Sequence, residues 1–121
     1  MKVSRYFDSN ALKTLTNAGN DTVIEYIKMY LEQTSLEINQ LQKLDVLNDW
    51  KHISLIAHNL KSKAKYMGVS QLAMIAEELE IQSNGNNKTR LPKLIIEFKT
   101  SFADVQKEMS QEQLRLEQQQ K

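Results

Sequence analysis

Ile53-Ser-Leu-Ile-Ala-His-Asn-Leu-Lys-Ser-Lys-Ala-Lys-Tyr-Met-Gly68 decides the fold. Ile53, Ile56, Leu60, Ala64 and Met67 recur at intervals of three and four, the period of one helix face. On a wheel of about 100° per residue, His58 falls almost opposite that stripe. Lys51 and Lys65 lie at about 20° either side of it, Ser54 and Ser62 at about 40°, and Leu55 and Lys61 at about 60°. Gly68 stands in the C′ position that ends a helix. The stretch reads as an amphipathic helix whose wet face is basic and centred on one histidine.

The same period continues outward in both directions. Before it, Val23, Ile24, Ile27, Leu31, Ile38 and Leu41 mark a helix opened by Asn20 or Asp21 as cap, with capping-box spacing from Thr22 to Glu25. After it, Leu72, Ile75, Ala76 and Leu79 mark a helix with Ser70 as N-cap. A last helix starts near Thr89, carries Pro92 in its first turn, and runs through Leu91, Leu94, Ile95, Phe98, Phe102, Val105 and Met109. A short segment, about Ser9 to Asn17, precedes them all. Residues 110–121 read as a polar glutamine-rich tail, a frayed helix end. The boundary around Leu44 to Asn48 has no Gly or Pro to mark it. The expectation is an all-α, antiparallel, up-down four-helix bundle with a short N-terminal helix as a lid, five helices in all, in one domain over residues 1–121.

Composition supports this and excludes much else. The 121 residues include three glycines, one proline and no cysteine. Gly and Pro together make about 3% of the chain, against roughly 12% on average. That is too few for the turns of a sandwich or barrel, or for a glycine-rich phosphate loop. Without cysteine there is no disulfide, thiolate zinc site or thiol nucleophile, which fits a reducing compartment. Sixteen basic and fifteen acidic residues leave a net charge of +1, so no overall field favours nucleic acid. No secretory signal opens the chain and no apolar run approaches a membrane span, so the expected location is the cytoplasm.

Chemistry centres on the two histidines, both on the decisive helix. His52 lies about 120° from His58 and six residues away, which is no helical metal pair, and reads as structural. No metal site is expected. Glu77, Glu78 and Glu80 read as a solvated face. Trp50 reads as a helix-start packing residue. An exposed His58 is, by itself, an ordinary surface residue. Its ring of lysines is either a solvated face or a set of counter-charges for a group that becomes anionic, such as a phosphohistidine. Lys61, one turn on, is the best-placed counter-charge.

Ala57-His58-Asn59-Leu60-Lys61-Ser62, with Ala64, Gly68, Leu72, Leu79 and Glu80, resembles the signature of histidine-containing phosphotransfer (HPt) domains over residues 57–80. That signature places a small residue after Leu-Lys, Gly ten after the His, Leu fourteen after it, and Leu-Glu near the end of the next helix. Leu47-Asn-Asp-Trp50 is also similar to the family's usual lead into the active helix. The resemblance implies a phosphorelay intermediate that is not itself an enzyme. His58 would accept the phosphoryl group on its solvent-facing nitrogen, Lys61 would stabilise it, Ser62 would leave room for the partner, and Gly68 would end the helix. The partners implied are response-regulator receiver domains and a hybrid sensor histidine kinase. Mg²⁺ would come from the receiver, and this chain would bind no cofactor. Leu55, Ser54, Ser62 and Lys65 are the candidate docking residues.

The chain departs from the family pattern where Ser62 replaces the usual Gly, and where Lys63, Lys65 and Tyr66 replace small residues. These larger side chains are expected to affect which partner docks, or how fast. Two other readings stand beside this one: a phosphate-independent HPt-shaped binding module, and a plain helical scaffold. A monomer is expected, with no nucleic-acid or membrane partner. A stand-alone protein and a piece of a larger hybrid kinase both fit the sequence.

Overall fold

Four helices appear in the computed structural model, which describes residues 19–85 and 88–119. They are α1 (Asn20–Lys43), α2 (Trp50–Tyr66), α3 (Ser70–Asn84) and α4 (Leu91–Gln119). No strand occurs among the described residues. The expected short helix at about Ser9 to Asn17 lies outside them. Cross-helix pairs give the direction of each neighbour. His58 meets Glu80 and Ser54 meets Asn84 between α2 and α3. Asn20 meets Gln119 and Tyr30 meets Phe102 between α1 and α4. Lys63 meets Glu37 and Tyr66 meets Tyr26 between α1 and α2. In each set, advancing along one helix retreats along the other, so these neighbours are antiparallel.

The periodic apolar lines form the core. Of the residues named in them, all are buried except Leu31, which is partly buried against the core. Alanines matter as much as the large side chains. Ala57 and Ala64 on α2, and Ala73 and Ala76 on α3, are buried at the interior side of the two helices that pack most extensively. Small side chains let helix axes approach toward the short end of the usual 8–10 Å range.

The helix ends depart from expectation in instructive ways. Gly19, not Asn20 or Asp21, is the N-cap of α1, and no side chain caps it. Asn20 lies within the first turn, where its amide donates to the Gln119 side chain at 3.4 Å. Val69, not Ser70, caps α3. The cause is the turn before it. Gly68 sits at φ +74°, the Gly68 N–H donates to Lys65 O, and the Val69 N–H donates to Ala64 O. This is a Schellman closure, and it pulls Val69 into the core beside Ala64. The buried Val69 then accepts from the Ala73 N–H and α3 begins at once.

The unmarked boundary before α2 is built by side chains. The Asp45 carboxylate accepts from the Leu47 N–H and the Asn48 amide, which hold it below the ordinary carboxylate range. Asp49, the N-cap of α2, turns its carboxylate back to the Asp45 N–H at 2.8 Å. This is an Asx-type turn where a Gly or Pro is usually sought. At the other end of the chain, the glutamine-rich stretch is helical to Gln119. Leu116 is fully buried, because it lies two turns beyond Met109 on the same face.

A Cβ on Gly68 meets nothing within 4 Å, so Gly68→Ala tests backbone conformation alone. The left-handed geometry makes it cost about 1–2 kcal/mol in urea unfolding. Gly19→Ala, at φ −76°, should cost less than about 1 kcal/mol, because the N-cap preference for Gly over Ala is offset by the unfolded-state freedom that Ala removes.

Candidate functional site

The third and second turns from the end of α2 carry His58 and Lys61, and the penultimate turn of α3 carries Glu80. His58 follows the fully buried Ala57, and the helix rotation that buries Ala57 turns the imidazole outward. The His58 side chain is 55% exposed. Its Nδ1 lies 3.1 Å from Glu80 Oε2. The other carboxylate oxygen, Glu80 Oε1, accepts from Lys61 Nζ at 2.8 Å. One carboxylate from α3 therefore joins two side chains one turn apart on α2.

Electrostatics define the roles. The hydrogen bond from Lys61, then the charges of Lys61 and His58, hold the Glu80 carboxyl below its ordinary range. Its bond to Glu80 raises the Lys61 ammonium in turn. Glu80 is thus ionised throughout the range in which an imidazole titrates. An ionised carboxylate has no hydrogen to donate, so the Nδ1 of His58 must be the N–H partner. In the neutral ring this leaves the lone pair on Nε2, the nitrogen away from Glu80. The arrangement is an imidazole in a set tautomer on an open surface.

Glu80 is itself fixed. Its backbone carbonyl accepts from Ser83 Oγ and from the Asn84 amide, both at 2.9 Å. The Asn84 amide also donates to Ser54 Oγ on α2 at 2.8 Å. Hydrogen bonds thus tie α3 to α2 on the N-terminal side of His58 as well as at it. Grooves lined by Lys65, Gly68 and Met74, and by Tyr26, Met29 and Tyr66, flank this face, and His58 lines neither.

The other residues singled out from sequence fall as follows. Leu55 is 59% exposed one turn before His58, and Ser62 is exposed one turn after it. Ser54 is half-buried under its bond to Asn84, Lys65 is exposed two turns on, and Gly68 closes the helix. Two of the three bulky departures do not share the His58 face. Lys63 pairs with Glu37 of α1, and Tyr66 packs edge-on against Tyr26 with ring centres 5.9 Å apart. Only Lys65 stands beside the histidine line. His52 is exposed.

One residue of the site departs from the expectation of a solvated acidic face. Glu80 is no part of a solvated run: its side chain is only 24% exposed and carries both contacts. Its position in the Leu79-Glu80 pair was the available signal. A carboxylate at 80 becomes informative only with the register that sets it opposite 58. Among the described residues no three His, Cys, Asp or Glu side chains cluster as a metal ion requires. No helix there is long and apolar enough to cross a membrane.

The family model of the Hpt domain matches residues 25–111. A search of curated proteins finds no match. Among solved structures, the crystal structure of histidine-containing phosphotransfer protein B from Pseudomonas aeruginosa PAO1 is similar, with a TM-score of 0.84. That likeness covers 93% of this chain and 98% of the other at 23% identity, and is a likeness of fold. The family match spans the helix that bears His58 and the one that bears Glu80, and the chain belongs to the Hpt domain family.

Proposed function

We propose that this chain is a phosphorelay intermediate in which His58 takes a phosphoryl group from a receiver-domain aspartate and passes it to another receiver. The observation that carries this reading is the exposed imidazole whose Nδ1 is held by Glu80, itself held by Lys61. Transfer needs an accessible lone pair and little else from this partner. The Nε2 lone pair attacks the phosphorus of the aspartyl phosphate, an Nε2–P bond forms, and the acyl P–O bond breaks. The aspartate leaves as a carboxylate. Nδ1 keeps its hydrogen, and Glu80 offsets the positive charge that builds on the ring. Return transfer reverses each step.

The transition state is loose and in line, so positioning and charge do most of the work. Lys61 lies one turn from His58 and can exchange its bond to Glu80 for one to a phosphoryl oxygen, a charge-assisted contact with a stronger acceptor. The Mg²⁺ that neutralises phosphoryl charge belongs to the receiver; this chain holds no cofactor. Leu55, Ser54, Ser62 and Lys65 form the rim on which the receiver rests, with Ser62 small enough to keep the ring open. Gly68 ends the active helix. Upstream stands a hybrid sensor histidine kinase. The chain works as a monomeric carrier in the cytoplasm, without autonomous catalysis and without a nucleic-acid or membrane partner. The family assignment supports this reading and the geometry at His58 gives it atoms.

Three measurements test it. A phosphorylated receiver should place acid-labile label on the wild type and none on His58→Gln; equal labelling, or none on wild type with every receiver of the source organism, refutes the reading. In ¹⁵N NMR of the neutral imidazole, Nδ1 should carry the proton in the wild type. Glu80→Ala should shift the ring toward the Nε2–H tautomer and slow transfer roughly ten-fold, the scale of one lost charge-assisted hydrogen bond. Lys61→Ala should slow transfer or shorten the phosphohistidine lifetime by about ten-fold, with the helical circular dichroism unchanged.

A further inference from the structure

Lys51, His58 and Lys65 stand at seven-residue intervals on α2. Seven residues are two turns, so the lysines flank the imidazole at about 10.5 Å of rise on either side and within about 20° of its direction. Both are exposed. Neither has an acidic partner within ion-pair distance among the described residues, whereas Lys61 and Lys63 each do. Lys51 lies instead over the Trp50 ring at 5.5 Å, and Lys88 approaches the same ring at 5.1 Å. An aromatic face leaves an ammonium its full charge. Glu77 lines the groove beside Lys65 without pairing to it. The local charge around His58 is thus positive at both ends, although the whole chain carries only +1.

We propose that Lys51 and Lys65 form an electrostatic guide that steers an acidic partner surface onto His58 before contact. This rests on the phosphocarrier reading. A receiver that presents an acyl phosphate with a divalent cation must line that site with several carboxylates, because such cations take oxygen ligands. Its rim is therefore acidic, and a pair of unneutralised cations centred on the acceptor complements it. Charges that act ahead of docking raise the association rate and fade with salt, while leaving the chemical step alone. Their unpaired state fits this role: a lysine already bound to a carboxylate has no long-range field to offer.

The test uses the full chain and whichever receiver labels wild-type His58 fastest. Lys51→Glu/Lys65→Glu should lower kcat/KM for transfer roughly ten-fold or more at about 20 mM salt. The difference should shrink to about two-fold near 0.5 M salt, where the Debye length is roughly 4 Å. Lys51→Glu alone, outside the docking rim, should lower kcat/KM about three-fold at low salt and leave the rate of transfer in the saturated complex unchanged. Lys99→Glu/Lys107→Glu, the same charge change at two exposed sites on α4, should stay within about two-fold of wild type at every salt concentration. Lys51→Glu/Lys65→Glu equal to wild type at low salt overturns the guide. So does a loss that persists undiminished at high salt, a loss in the saturated rate of Lys51→Glu, or an equal loss in Lys99→Glu/Lys107→Glu. Wild-type protein that takes no label from any receiver overturns the carrier reading, and the guide with it.

Discussion

The close antiparallel packing of α2 on α3 is the constraint on which the site depends. Buried alanines on both helices let them approach, and the Gly68 turn joins them with three residues between the helices. A turn that short permits one register. With Val69 drawn into the core, position 58 on α2 falls opposite position 80 on α3, and 54 opposite 84. Because both helices are rigid over this distance, a backbone decision at Gly68 sets a side-chain distance at His58, ten residues away.

In the proposed carrier role, that packing lets the histidine work on a convex surface. An enzyme pocket orients its nucleophile by surrounding it, which hides it from a second protein. Here orientation comes from one side only. Glu80 holds Nδ1 from α3, Lys61 holds Glu80 from α2, and the remaining ring edge faces solvent. Lys61 neutralises the carboxylate and keeps it from drifting into water, at a partly buried position where such a bond is worth more than on an open surface. The same interior that stabilises the fold therefore pre-orients the ring.

Much of this was legible along the chain. The helix stripes predicted the buried residues well, and Gly68 and Pro92 marked ends that the structure reproduces. The errors share a cause. Asn20 and Ser70 are good cap residues by type, yet tertiary packing of Val69 and the reach of Asn20 to Gln119 chose other atoms. Leu116 stands among glutamines, where one apolar residue two turns beyond Met109 is a weak periodic signal, although the seven-residue interval places it on the α4 stripe. Lys63 and Tyr66 depart from the family's small residues, and only their rotation around α2 shows that they serve the contact with α1.

By itself, the sequence determined the helical class, the dry face of each helix, the outward direction of His58 and the family signature from Ala57 to Glu80. These follow from periodicity and spacing, which act within single helices. Only the tertiary structure decided that Glu80 is a partner of His58 and not a solvated acid, and which lysines are neutralised and which stand free. Those are distances between residues about twenty positions apart or more, set by how two helices pack, and no property of either helix alone contains them.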